Sequence, residues 1–227
     1  VHFENTLLID HLLEQISKHD HLKFAGFLSH TGNSYQSANA REGSLVFEKA
    51  RASLVELKRH YLGSYPWLQL SMGDTPSATL AHNFKGIDEW RPGNFIFYDF
   101  MQYALGACQE NEIALKVHCP IIGIYPSRHE IVIYGGGVHL SKESILYGNR
   151  KIYGWAMKAG EQIENGFPLV SLSQEHGVIA LPPEYMSQLK IGDILEIIPV
   201  HSCMTADLNA AYLTEDLQKV FKFRTYS

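Results

Sequence analysis

A histidine and a cysteine stand two residues apart in Pro199-Val200-His201-Ser202-Cys203, directly after the apolar run Ile194-Leu195-Glu196-Ile197-Ile198. That run reads as a strand, and in a strand residues i and i+2 point to one side. If the strand continues through Cys203, Nε2 or Nδ1 of His201 and Sγ of Cys203 reach one ion. A nitrogen and sulfur pair of this softness suits a divalent metal, zinc best. Two protein ligands do not close a structural zinc site, so positions stay open for water or substrate. Taken alone, a half-buried His beside an inert Cys is the commoner outcome of such spacing.

Other polar segments share the chain with this pair. Ser29-His30-Thr31-Gly32-Asn33-Ser34-Tyr35 follows a buried run and either lines a polar site or is a solvated loop. Gly73-Asp74-Thr75-Pro76-Ser77 offers a flexible glycine, two hydroxyls and backbone N–H groups, which suit a phosphate or form a simple turn. Arg91-Pro92-Gly93-Asn94-Phe95-Ile96-Phe97-Tyr98-Asp99 reads as a turn and an aromatic strand ending on a phenol. Gly135-Gly136-Gly137 lacks the strand–turn–helix setting of a dinucleotide fingerprint, so a close backbone approach at a domain interface is the better reading. Gln174-Glu175-His176-Gly177 is an ordinary hairpin, or brings Glu175 and His176 to the metal.

The elements that must position these groups change character along the chain. Thr6 to Lys18 reads as an amphipathic helix and Leu22 to Leu28 as a short strand. Ser44 reads as an N-cap for a helix carrying Leu45, Val46, Ala50, Leu54 and Leu57. Trp67 to Leu70 and Asn94 to Tyr98 read as further strands. That is the rhythm of an αβ barrel, whose active site lies at the carboxyl ends of the strands. After about residue 110 strands dominate: 113–119, 121–125, 130–134, 169–172, 177–180 and 194–198. The expected fold is therefore part of a TIM-type αβ barrel in residues 1–108, followed by a β-rich domain in residues 109–227.

Composition sets limits. With 45% apolar and 19% charged residues in 227, the chain is ordinary for a globular protein, and its net charge of -5 argues against general nucleic-acid binding. Cys108, Cys119 and Cys203 are odd in number and widely spaced, which fits a reducing compartment rather than a disulfide framework. No run approaches the roughly 18 apolar residues of a membrane span, and no signal peptide is visible, so a cytoplasmic protein is expected.

In this order the segments resemble the D-threonine aldolase and D-serine dehydratase family, fold-type III enzymes that use pyridoxal phosphate and share the architecture of alanine racemase. The resemblance rests on 30–35, 73–77, 91–99, 135–137, 174–177 and 199–205. It implies that Tyr35 lies beside the cofactor ring and that Gly73, Thr75 and Tyr98 surround its phosphate, with Asn94 or Asp99 nearby. It implies a divalent metal, zinc by the cysteine, on His201 and Cys203. It further implies a β-hydroxy-D-amino acid substrate, β-elimination or retro-aldol cleavage, and a homodimer. One departure is plain. The family's Schiff-base lysine lies on the first barrel strand, and neither Lys23 nor Lys116 sits in a matching context. The chain, starting at Val1, therefore reads as the later part of a longer enzyme that lacks the N-terminal part. The alternative is a non-catalytic remnant that binds cofactor or metal, or only mediates association.

Overall fold

A computed structural model describes residues 1–37 and 39–222. It divides the chain into two units, Val1–Phe95 with Leu105–Ala107, and Ile96–Ala104 with everything from Cys108 on.

In the first unit, helix α1 (Thr6–Ser17) is capped by Asn5, whose side-chain oxygen accepts the Leu8 N–H. It buries Ile9 and Leu13. Strand β1 (Gly26–His30) begins four residues later than the apolar run at Leu22. Helix α2 (Ala40–Tyr61) starts before the expected cap at Ser44, because Asn39 supplies the capping oxygen to the Glu42 N–H. Glu42 in its first turn and Lys58, Arg59 and His60 in its last complement the helix dipole. Strand β2 (Gln69–Gly73), short helix α3 (Thr75–Leu80) and the two-residue strand β3 (Glu89–Trp90) follow. The strands lie parallel in the order β1-β2-β3, with Leu28 opposite Ser71 and Ser71 opposite Glu89.

Pleating gives this sheet two unlike faces. Phe27, Leu70, Met72 and Trp90 pack with Phe47, Leu54, Leu57 and Tyr61 of α2 and with Ile9 and Leu13 of α1. The opposite face carries Leu28, His30, Gln69, Ser71 and Glu89, by the same register. Leu28 is 66% exposed there. The sheet is open and three-stranded. The only closed barrel among the described residues is in the second unit and is antiparallel.

That unit opens with helix α4 (Phe100–Ala104). Strand β4 (Val117–Tyr125) joins what the sequence divides at Pro120. Proline is tolerated because it ends the ladder to one neighbour, opposite Ile194, while pairing with the other begins at Ile121, so Pro120 owes no ladder N–H. Next come β5 (Glu130–Tyr134), α5 (Gly137–Leu140), the hairpin β6 (Ile145–Tyr147) and β7 (Arg150–Ile152), β8 (Gly154–Lys158), β9 (Phe167–Leu172) and β10 (His176–Ala180). The unit continues with α6 (Pro183–Met186), β11 (Ile194–Pro199), α7 (Ser202–Leu208) and the hairpin β12 (Ala211–Leu213) and β13 (Lys219–Phe221). Six strands close in the order β10-β5-β4-β11-β8-β9. Alternate residues fill the interior: Cys119, Ile121, Ile131, Ile133, Leu169, Ile179, Leu195 and Ile197.

The glycine triplet packs closely within this barrel. A Cβ on Gly136 would sit 2.5 Å from Gln174 O and from the backbone of Glu175 and His176, and one on Gly135 would meet Cys119 Sγ at 2.4 Å. The backbone after β5 thus lies against the turn before β10, and only glycine fits. Gly136→Ala should cost roughly 1–3 kcal/mol through this backbone clash. Chemical denaturation should show a lower midpoint; an unchanged midpoint would contradict the packing.

Candidate metal and cofactor site

The chain turns sharply before Asp99. The expected strand 94–98 is instead a 3-10 turn at Asn94–Ile96, and Tyr98 adopts φ 48, a left-handed conformation unusual for a bulky residue. The turn delivers Asp99 to the start of α4, where Oδ1 accepts the Gln102 N–H at 3.0 Å. Asp99 is fully buried. Its Oδ2 accepts the Ser202 N–H at 2.9 Å and lies 3.5 Å from Nδ1 of His201.

The segment that carries His201 is not a strand. Strand β11 ends at Pro199, which cannot donate to a ladder; Val200 is buried, and His201 takes the N-cap position of α7. Cys203 is the second residue of that helix, so the same-side argument for alternate strand residues does not apply. What fixes His201 is its surroundings. Its carbonyl accepts the Thr205 N–H at 3.2 Å and the Thr205 hydroxyl at 3.1 Å; that hydroxyl also lies 3.0 Å from Leu140 O. The His201 side chain is 30% exposed. Burial holds the Cys203 thiol above its ordinary pKa, although the Ser202 hydroxyl bonded to it pulls the other way. A cation next to the sulfur would reverse that balance.

Among the described residues no group of three or more His, Cys, Asp or Glu gathers to hold a metal, so Glu175 and His176 do not complete such a set. His176 instead sets its ring 6.1 Å from that of Tyr134.

Four of the expected cofactor residues lie in the first unit. Thr75 and Asn94 are buried together, the Asn94 N–H donating to Thr75 Oγ1 at 2.9 Å. Tyr35 sits in a 3-10 turn with its ring 6.4 Å from that of His30. Gly73 ends β2, and a Cβ there would meet Arg91 O at 2.9 Å and Arg91 Nη1 at 3.0 Å, so its smallness makes room for Arg91. The N-terminus of α3 is not the open cradle the sequence implied. Asp74 caps it, taking the Ser77 N–H at 2.7 Å, and also accepts the hydroxyls of Thr31 and of Ser34, the latter at 2.8 Å.

The other two lie in the second unit. Tyr98 packs against an apolar cluster that includes Phe100, Cys108 and Ile198. Asp99 is committed to α4 and the His201 segment. A buried anion is a poor phosphate contact, so these bonds lend no support to a place for Asp99 beside a phosphate.

Sequence reasoning missed three polar residues. Asp74 is read there as loop, yet it gathers Thr31, Ser34 and Ser77. Arg91 donates from Nε to Ser71 Oγ at 2.6 Å and from Nη2 to Ser29 O at 3.0 Å, joining all three strand ends. Gln102 is fully buried, and neither amide atom has a protein partner among the described residues. A buried amide in that state favours a polar occupant.

Residues 114–214 match the family model described as a putative serine dehydratase domain. The D-serine dehydratase of Dictyostelium discoideum is 32% identical over 217 residues, which is 90% of this chain and 54% of that protein. In structure the chain is similar to D-threo-3-hydroxyaspartate dehydratase from Delftia sp. HT23, with TM-score 0.79 and 26% identity, over 90% of this chain and 57% of that one. That enzyme has also been solved with a histidine replaced by alanine and, separately, with the cysteine two positions further on replaced by alanine, the latter in a metal-free form. An alanine racemase-like protein from Idiomarina loihiensis matches with TM-score 0.78 and 28% identity, over 92% of this chain and 58% of that one. The chain spans about half the length of the curated relatives it matches. By sequence over residues 114–214 and by fold over 90% of its length, the chain is similar to D-serine dehydratase and D-threo-3-hydroxyaspartate dehydratase, the kind of enzyme that its motifs resemble.

Proposed function

We propose that the protein carrying this chain is a pyridoxal-phosphate- and metal-dependent lyase that eliminates water from a β-hydroxy-D-amino acid such as D-serine. The observation that carries this reading is His201, backed by a buried carboxylate, with Cys203 two residues on. The solved dehydratase variants replace a His and a Cys at the same spacing. The donor types fit a borderline divalent ion: an imidazole with one nitrogen facing Asp99, and a half-buried thiol two residues on in the sequence. Zinc is the metal of choice for that set.

His201 and Cys203 would hold the divalent ion, which would supply Lewis acidity toward a hydroxyl leaving group, and pyridoxal phosphate would supply an electron sink. The chain's own residues orient these groups. His201 is fixed by its backbone bonds and by Asp99. Thr75, whose oxygen already accepts the Asn94 N–H, can turn its own O–H toward a phosphate oxygen. Thr75 and Asn94 are accordingly the proposed phosphate contacts, with Gly73 and Tyr98 further candidates from the resemblance and Tyr35 the candidate ring neighbour. Strands β1 to β3, parallel and joined by α2 and α3, suit successive strands of an alanine-racemase-like αβ barrel, the β-rich domain following from about residue 109. A homodimer is proposed on the resemblance alone.

The relatives described above are named as dehydratases, which favours elimination over retro-aldol cleavage. Product analysis on the complete protein tests the choice. D-Serine should yield pyruvate and ammonia; glycine and an aldehyde from a β-hydroxy-D-amino acid would contradict it.

A further inference from the structure

We propose that Asp99 is the positioning residue for His201, holding Nδ1 as the nitrogen that carries the proton and so directing metal binding to Nε2. This rests on the reading of His201 as a metal ligand. Neutral imidazole has one N–H and one lone pair, whereas a carboxylate only accepts, so the nitrogen facing Asp99 is the protonated one. Oδ2 of Asp99 stands 3.5 Å from Nδ1 and takes the Ser202 N–H at 2.9 Å. One oxygen thus restrains both the ring and the backbone that carries it.

The other oxygen is anchored on the Gln102 N–H at 3.0 Å, so the carboxylate is itself held. A helix cap needs only this second contact. A fully buried anion aimed also at a half-exposed imidazole 102 residues away does more than cap. The left-handed backbone at Tyr98, which a bulky residue rarely adopts, directly precedes Asp99. Metal-bound imidazoles commonly donate their other N–H to a carboxylate, which sets the tautomer and raises ligand basicity.

The test uses the complete protein. Asp99→Asn keeps the size of the side chain and an acceptor oxygen but removes the charge and the second acceptor. It should leave the circular dichroism spectrum unchanged and weaken zinc binding, read by chelator competition, by about ten- to a hundredfold. In a His201→Ala background the same change should add nothing. An affinity within about twofold of the parent, or an equal loss without His201, would overturn the proposal. Should Asp99→Asn fail to fold, nitrogen-15 NMR of the parent decides. The His201 ring should carry its proton on Nδ1 in the metal-free protein, and the Nε2-protonated tautomer would overturn the assignment. Because this tautomer is read without metal, failure of the metal reading and failure of the Asp99 proposal are told apart.

Discussion

His201→Ala in the complete protein should lower kcat for D-serine elimination by about 10²–10⁴-fold, the several kcal/mol that a Lewis acid gives to a leaving hydroxide. The loss should fall on kcat more than on KM, because charge develops on the hydroxyl oxygen only as the bond breaks. Stability should change little. The His201 side chain is 30% exposed, and its carbonyl, which alanine retains, makes the bonds to Thr205. Steady-state kinetics beside thermal unfolding measure both. A variant that unfolds with the parent but eliminates water at the parent's rate would remove His201 from the chemistry.

Ile133→Ala should destabilise the antiparallel barrel by about 2–5 kcal/mol. Ile133 is fully buried, opposite Ile121 of β4 and Gly177 of β10. Alanine would leave a cavity between two ladders that close on one another, so neither side can collapse into it freely. Denaturant titration monitored by circular dichroism reads the loss. A cost under about 1 kcal/mol would mean that the interior relaxes around the missing atoms, contrary to a closed barrel.

Much of this architecture was legible in the sequence because burial leaves a period. Strands β5, β9, β10 and β11 appear as apolar runs within a residue or two of their bounds, and α1 ends one residue short of its expected limit. The discrepancies have local causes. Asn39, not Ser44, caps α2, because the helix begins before its apolar stripe does. Pro120 looks like a break and lies instead where two ladders change over. Hairpin β6–β7 has only Ile152 buried, so no apolar alternation announces it.

The candidate site was legible as residue types and not as geometry. His201 and Cys203 stand out by spacing, but the strand that would have aligned them stops at Pro199. Thr75 and Asn94 were each singled out, and the hydrogen bond joining them is a product of the turn at 94–96. The contacts of Asp99 are not legible in the sequence. Its partners Ser202 and His201 lie more than 100 positions away, and no periodicity encodes a contact of that range.

The most direct measurement is the metal content of the complete protein, purified without chelator, beside that of its Cys203→Ala variant. The proposed function predicts about one zinc per chain in the parent, as expected for a single His/Cys site, and a large fall in occupancy in the variant. Equal metal content in the two proteins would contradict the assignment of His201 and Cys203, and with it the proposed metal-assisted elimination.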